Sequence, residues 1–320
     1  MVQTKWYDDF IKNLNKKNPN NKLLATELMD LLGIERTAVY RRLRKEILFS
    51  FDEIEKIAVA WNISIDKIMA INSDKISFEM YPLNYFNPTN ENLDYIQGII
   101  KKFKNYKNSI NSEYIEICNK LPRSLIFRFP NISKFYVFVW LYQYDDECFD
   151  IPYSNVSIPE KIQKIMTDYY LATSSVNETS YIFDNYIFDH YVERIRYFHD
   201  IDLITDEEIK LLKKDLLSLL KYLSAATKLG ILEDTKNKIN FYISKINIET
   251  NYSYFCANDF KSLRINVFSD YEIKNHDFKT VLYFQKIIKS IQRTSIKISE
   301  TDEIYRKKYF LKQEDLINSL

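Results

Sequence analysis

Cationic side chains cluster in one segment near the N-terminus. The segment reads GIERTAVYRRLRKEILFSFDEI, residues 33–54, and it places five basic residues within ten positions: Arg36, Arg41, Arg42, Arg44 and Lys45. Arginine neutralises phosphates and can contact guanine with two parallel hydrogen bonds, so this chemistry favours binding of a nucleic acid. Such a run is also typical of an ordinary solvated helix face, and its density alone does not separate the two interpretations.

The arrangement of these residues on a helix is more informative than their number. At 100° per residue, five polar side chains share one arc of about 140°: Arg36, Thr37, Tyr40, Arg41 and Arg44. Val39 and Leu43 lie on the opposite flank, where they can pack against a neighbouring element. We therefore predict a helix over residues 35–46 whose polar side, formed by these five residues with Lys45 at its end, can contact bases and phosphates.

Three of the neighbouring side chains have structural interpretations as well. Arg42 points away from the polar arc, which favours an ion pair within the protein. Lys45, at the end of the predicted helix, suits the helix dipole as well as a phosphate. Tyr40 can simply cover the surface of the protein.

Helical periodicity continues on both sides of the basic segment. Upstream, WYDDFIKNLN and LLATELMDLLG repeat apolar residues at the helical spacing, and the second run stops at Gly33. Glycine tolerates the positive φ that a sharp helix-to-helix turn often requires. Downstream, Ser50 and Glu53 have the S-x-x-E spacing of a capping box, and a short fifth helix is expected from Ser64.

This pattern resembles the lambda-repressor-like, or Xre-type, helix-turn-helix family. In LMDLLGIERTAVYRRL the core and turn positions of that family correspond to Leu28, Leu32, Gly33, Ile34 and Val39. FDEIEKIAVAWNISIDKIM is similar to the fourth and fifth helices of the family, with matches at Ile57, Ala58, Ile63 and Ile68. The resemblance covers about residues 4–70 and implies a five-helix domain whose second and third helices read DNA.

Three positions depart from the family pattern. Ala25 stands where a phosphate-binding glutamine is common, and Met29 stands where a small residue is usual. Glu35 stands where Ser or Thr usually caps the reading helix, and its negative charge lies near the expected position of a phosphate. Glu35, together with a net charge of only +1, slightly favours an alternative in which the fold docks a protein instead of DNA.

The remainder of the chain predicts a second, larger domain. Residues 71–90 contain two prolines and indicate a linker. Helical patterns follow over 91–120, 132–143, 158–172, 178–199 and 206–229, the last with a capping box at Thr205 and Glu208. Period-two alternation then indicates strands within 239–254 and 263–267, followed by a helix near 277–291, a short SIKIS strand and a final helix. We expect a mainly α protein: a helix-turn-helix domain over 1–70, a linker over 71–90, and an α+β domain over 91–320 that is helix-rich with a small, late sheet.

Several classes of protein are disfavoured by composition and motif. Only three glycines occur in 320 residues, and neither GxGxxG nor GxxxxGK[ST] is present, which excludes the common phosphate-binding loops. His190 and Glu193 have a spacing used in metal sites, but the second copy that such sites need is not evident. The three cysteines form no CxxC pair, no signal peptide begins the chain, and the most apolar run, residues 135–142, is too short for a membrane span. We expect a cytoplasmic protein with no cofactor, no metal, no membrane contact and no enzymatic activity.

The function predicted from these observations is that of a sequence-specific, repressor-like transcriptional regulator, in which the helix 35–46 enters the major groove of DNA. Its partners would be double-stranded DNA and a second copy of the chain, because a single small reading domain normally needs two half-sites for specificity. The C-terminal domain would supply dimerisation or bind a small-molecule or protein effector. The main alternative is a helix-turn-helix scaffold for protein interactions, and a third is an enzyme with an unfamiliar site in the C-terminal domain.

Overall fold

A computed structural model of the chain describes residues 5–61, 63–65, 68, 76, 78–81, 90–107, 109–145, 148–267 and 271–320. The chain divides into two compact units, Met1–Ser77 and Phe78–Leu320. Most of the predicted 71–90 linker lies outside the described residues, although Glu79–Tyr81 form a strand of the second unit. The sequence-based domain limits at 70 and 90 stay predictions.

The first unit contains four described helices. They are α1 (Lys5–Lys17), α2 (Asn21–Leu32), α3 (Arg36–Leu43) and α4 (Phe51–Trp61). Asn20 caps α2, since its side chain accepts hydrogen bonds from the backbone N–H groups of Lys22 and Leu23. The predicted fifth helix, from Ser64, lies largely outside the described residues and stays a prediction.

All four helices contribute to one small core. The fully buried side chains include Phe10 and Leu14 of α1, Leu28 of α2, Val39 of α3 and Ile57 of α4. Burying each of the larger apolar side chains contributes about 1.5–3 kcal/mol. The predicted apolar face of α1 is confirmed at Phe10 and Leu14.

The second unit is built on one mixed sheet. Its described strands are β1 (Glu79–Tyr81), β2 (Glu113–Cys118), β3 (Glu178–Asp184), β4 (Lys238–Ser244), β5 (Tyr252–Ala257), β6 (Phe260–Val267), β7 (Tyr271–Asn275) and β8 (Ile296–Lys297). Their order across the sheet is β1-β7-β6-β5-β2-β3-β4-β8. The pairs β2–β3 and β3–β4 are parallel and the other pairs are antiparallel.

Helices cover both faces of this sheet. The helices are α5 (Asn90–Asn105), α6 (Arg123–Ile126), α7 (Pro130–Tyr144), α8 (Glu160–Ser174), α9 (Asp189–Asp200), α10 (Asp206–Leu229), α11 (Phe278–Thr294) and α12 (Glu303–Asn318). Helices α5 to α10 and α12 share a large core with one face of the sheet. Helix α11 packs on the other face through Val281 and Ile288. The protein is therefore helix-rich with a mixed sheet, as predicted at that level.

Two predicted helices of the second unit contain strands instead. The helical pattern over 91–120 ends as α5 at Asn105 and is followed by β2, and the pattern over 178–199 begins with β3. These strands are buried on both faces, so they lack the simple apolar–polar alternation that marks a half-exposed strand. Most of the described strands lie late in the chain, as expected, but with β1, β2 and β3 the sheet is larger than the small sheet that was predicted.

The other predicted elements of this unit are confirmed. Strands occupy the alternating segments at β4, β5 and β6, and helices follow at α11 and α12. The capping box of α10 is present, because the Thr205 hydroxyl accepts from the Glu208 N–H and the Glu208 carboxylate accepts from the Thr205 N–H.

Candidate nucleic-acid interface

The turn between α2 and α3 depends on Gly33. This residue ends α2 in the left-handed conformation, with φ 65° and ψ 33°, and its N–H donates to the Met29 carbonyl at 2.8 Å. A Cβ added at Gly33 would meet nothing within 4 Å, so glycine is favoured by the backbone conformation and not by crowding. The predicted turn is confirmed.

Helix α3 is shorter than the predicted helix over 35–46. It begins at Arg36 and ends at Leu43. The Arg44 N–H still bonds the Tyr40 carbonyl at 2.9 Å, and Arg44 forms the C-cap of the helix. Lys45 has φ 64°, a left-handed conformation that ends the helical path, so its side chain does not continue the polar arc.

The start of α3 has no side-chain cap. Glu35 occupies the N-cap position with φ −67° and ψ 152°, and its side chain makes no capping hydrogen bond. The first backbone N–H groups of α3 therefore receive no hydrogen bond from the N-cap side chain. This agrees with the departure from the family pattern at Glu35.

A bidentate ion pair ties α3 to α4. Arg42 donates from Nε and Nη2 to the two carboxylate oxygens of Glu53, both at 2.9 Å, and Nη1 donates to the Ala38 carbonyl at 3.2 Å. The two side chains are only 17% and 15% exposed, so solvent screens this pair less than a surface pair. The structural role predicted for Arg42 is confirmed.

The same Glu53 carboxylate closes the predicted capping box of α4. It accepts from the Ser50 N–H at 2.8 Å, and the Glu53 N–H donates to Ser50 Oγ at 3.3 Å. Burial raises the pKa of Glu53, but hydrogen bonds from Arg42 and Ser50 lower it more, so the net pKa lies below its ordinary value. Glu53 thus stays ionised as both a cap and a counter-ion.

Helix α1 holds the segment between α3 and α4. The Tyr7 hydroxyl donates to the Arg42 carbonyl at 3.3 Å and accepts from the Phe49 N–H at 3.0 Å. Burial raises the pKa of Tyr7, so the phenol stays protonated and able to donate. Lys45 forms an ion pair with Asp8 of α1. Sequence reasoning missed Tyr7 and Asp8, since nothing local in the sequence links α1 to this segment.

The residues predicted to contact DNA lie mainly at the surface. Arg36, Thr37, Arg41, Arg44 and Lys45 are exposed. Tyr40 is half-buried, and the Arg36 guanidinium carbon lies 5.9 Å from the centre of its ring. These side chains are therefore accessible to a polyanion, and Tyr40 also supports Arg36.

Glu46 lies between two of these arginines. Its carboxylate oxygens are 3.5 Å from Arg41 Nε and 3.2 Å from Arg44 Nε. All three side chains are well exposed, and exposed pairs contribute about 0–1 kcal/mol, so either arginine can exchange Glu46 for a phosphate at little cost. Arg36 makes no ion pair within the part of the chain that the structure describes. Sequence reasoning did not assign Glu46 a role, because its spacing from the arginines is not a helical one.

Apolar side chains are exposed next to this cationic surface. Ile47 and Leu48 follow Glu46, and Phe51 opens α4 with 80% of its surface exposed. A grouped exposure of large apolar side chains is typical of a surface that a macromolecule covers. Ala25, where the family often has a phosphate-binding glutamine, is fully buried and presents nothing to solvent.

Other candidate sites receive little support from the geometry. Glu193 bonds Arg196 at 2.6 Å, and among the described residues no group of three His, Cys, Asp or Glu side chains is placed to hold a metal. Across the same residues, no helix is long and apolar enough to cross a bilayer.

Comparison with known proteins gives one result. The family model described as BetR domain matches residues 9–79, which is less than a quarter of the chain. The BetR domain is a helix-turn-helix-type DNA-binding domain, in agreement with the N-terminal helix-turn-helix of the structure. Neither the curated proteins nor the solved structures gave a significant match.

Proposed function

We propose that this protein is a sequence-specific, repressor-like transcriptional regulator that places α3 in the major groove of double-stranded DNA. The observation that carries the proposal is the exposed cationic side of α3, set after a left-handed glycine turn inside the segment matched by the BetR domain. The likeness to Xre-type regulators, drawn from the same segment, is part of the proposal.

The contact residues have different expected roles. The first turn of a reading helix normally meets the base edges, so Arg36 and Thr37 would read sequence. Arg41 and Arg44 would exchange Glu46 for phosphates, and Lys45 would exchange Asp8. Tyr40 would orient Arg36 and contact the backbone with its hydroxyl.

We propose that the regulator acts as a homodimer in the cytoplasm. One small reading domain buries little surface on DNA, so specificity requires two domains on half-sites about one helical turn apart. The second unit would supply dimerisation or bind an effector, and we propose no catalytic activity for it.

The test begins with selection of a duplex by the purified full chain, followed by affinity measurements across a salt series. Replacing Arg41 and Arg44 together by Ala removes two phosphate contacts. The slope of log affinity against log salt should become shallower by about 1.8, since each contact contributes about 0.9. The control is a double variant of equal charge change, Lys214→Ala with Lys221→Ala, on exposed positions of α10. Unchanged affinity and slope in the arginine variant would refute the assignment of α3.

A second candidate is a helix-turn-helix unit that docks a protein. The exposed Phe51, Leu48 and Ile47 favour it, as does Glu46, which already occupies two of the arginines. A gel-shift experiment with random duplex DNA at low salt distinguishes the two candidate functions. A regulator should show salt-dependent retention of the duplex, and a protein-docking unit should show none.

A further inference from the structure

The second unit contains a cavity of about 770 Å³ at the carboxyl end of β2. Strand β2 is flanked there by the parallel strand β3 on one side and by the antiparallel strand β5 on the other. Ligands of open sheets commonly bind outside the carboxyl ends of parallel strands, and small-molecule sites commonly measure about 300–1,000 Å³. Both the position and the size suit a small molecule.

One wall of the cavity is a fixed polar frame. The Asn119 N–H donates to Asn251 Oδ1 at 2.7 Å, and Asn119 Nδ2 donates to the Glu249 carbonyl at 2.9 Å. Thr250 Oγ1 donates to the Asn266 carbonyl at 2.6 Å, and the Asn266 N–H donates to the Asn251 carbonyl at 3.0 Å. These bonds join the end of β2 to the start of β5 and the end of β6, so the wall exists before any ligand arrives.

The lining of the cavity also includes a cation from helix α9. Arg194 of α9 lines the cavity and is half-buried, and it makes no hydrogen bond or ion pair with any residue in the described ranges. Arg196, two residues later, bonds both Glu193 and Ser319. Removing a charge from water without a partner is unfavourable, so an unpaired, half-buried guanidinium at a cavity wall points to an external anion.

The remaining charged groups of the lining are mixed in sign. Lys120 and His190 lie on the same cavity as Arg194. The acidic lining residues are Glu193, which is engaged by Arg196, and Glu249, whose side chain is exposed. The lining residues therefore carry two full positive charges, on Arg194 and Lys120, and two carboxylates, of which Glu193 is engaged by Arg196.

The floor of the cavity is apolar. It is formed by Leu121 after β2, Ile126 of α6, and Phe135 and Val139 of α7, all of which are buried. An apolar body resting on these side chains would gain from leaving water, while its charged end reaches Arg194.

We propose that this cavity binds a small organic anion, with a carboxylate or phosphate group held by Arg194 and an apolar body against Leu121, Phe135 and Val139. The proposal concerns the second unit alone and does not depend on DNA binding by the first. It gives the unit a ligand of defined chemistry, as the sensor of an effector would need.

The test uses the full chain and three probes that share one ring: benzoate, phenyl phosphate and the neutral benzamide. Calorimetric titration up to about 10 mM should show saturable binding of benzoate or phenyl phosphate, and benzamide should bind at least about tenfold more weakly. Tighter binding of phenyl phosphate would assign a phosphate ligand, and tighter binding of benzoate a carboxylate.

Replacing Arg194 by Gln should weaken binding of the anion by about tenfold to a hundredfold. The same replacement at the exposed Arg293 of α11 is the matched control and should leave binding unchanged. Because Arg194 makes no hydrogen bond or ion pair with the residues that the structure describes, its variant should unfold at the same or a higher temperature than the native chain. The proposal is overturned if no probe binds, if benzamide binds as tightly as the anions, or if the two arginine variants behave alike.

Discussion

Replacing Glu53 by Gln should lower the stability of α3 while leaving every residue proposed to contact DNA unchanged. The variant keeps the shape of the side chain and its capacity to cap α4, because glutamine also serves at that position of a capping box. It removes the negative charge from two 2.9 Å bonds and leaves the Arg42 guanidinium, 17% exposed, without a counter-ion.

The magnitude follows from that geometry. A hydrogen bond to a charged group contributes about 1.5–3 kcal/mol when buried, and partial exposure of this pair reduces the figure. We expect the free energy of opening of α3 to fall by about 1–3 kcal/mol, which corresponds to amide exchange about 5- to 150-fold faster. Hydrogen exchange of the full chain, measured by mass spectrometry on peptides that cover residues 36–43, reports the opening of α3.

The effect should also depend on pH. The pKa of Glu53 lies below its ordinary value near 4.5 in the folded protein, so the folded state binds fewer protons than the unfolded state in this range. The contribution of Glu53 is therefore complete above pH 4.5 and is lost as the pH falls through the folded pKa. Protection of α3 in the native chain should decline over that interval, and in the glutamine variant it should not.

Glu46→Gln is the matched control for this prediction. It removes a carboxylate from two arginines in the same segment, but those ion pairs are exposed. The free energy of opening of α3 should therefore change by less than about 1 kcal/mol. Equal changes in exchange for the two variants, or unchanged exchange in Glu53→Gln, would contradict a stabilising role of the Arg42–Glu53 pair.

Three further substitutions test the ion pairs of Glu46, the turn at Gly33 and the capping box at Thr205. Glu46→Gln should raise the affinity for duplex DNA by about twofold to tenfold at low salt, because Arg41 and Arg44 lose a competing anion. A variant that binds the duplex more weakly than the native chain at low salt would contradict this. Gly33→Ala should destabilise the first unit by about 1 kcal/mol, since φ 65° is unfavourable for alanine. Amide exchange rates in α2 equal to those of the native chain would contradict this prediction. Thr205→Ala should cost the second unit about 1 kcal/mol in urea unfolding by breaking the capping box of α10, whereas an unchanged midpoint would show the cap to be dispensable.

The helix-turn-helix could be predicted from sequence because its signals are local. Gly33 marks a left-handed turn, Val39 marks the buried side of α3, and Ser50 with Glu53 marks the start of α4. The end of α3 could not be predicted, because a lysine gives no warning of the left-handed conformation that Lys45 adopts.

The core of the second unit was less accessible to sequence reasoning for a physical reason. Strands β2 and β3 lie in the middle of the sheet with helices or sheet neighbours on every side, so apolar residues occupy both of their faces. Such runs resemble buried helix segments, and only pairing across the chain distinguishes them. Arg194 was equally hidden, because its lack of a partner among the described residues is a property of the folded surroundings and not of its neighbours in sequence.

The position of helix α3, which carries the proposed DNA contacts, is maintained by residues that make none of those contacts. Helix α3 has only eight residues and one fully buried side chain, Val39, and its N-cap residue makes no capping bond. A helix this short and uncapped is unstable alone, so tertiary contacts must supply its stability. Glu53 of α4 supplies one such contact by binding the Arg42 side chain, and Tyr7 of α1 supplies another by donating to the Arg42 backbone carbonyl. The Arg42–Glu53 pair therefore helps to hold the helix that carries Arg41. Under the proposed function, loss of the Arg42 side chain should weaken DNA binding through disorder of α3 and not through the loss of a phosphate contact.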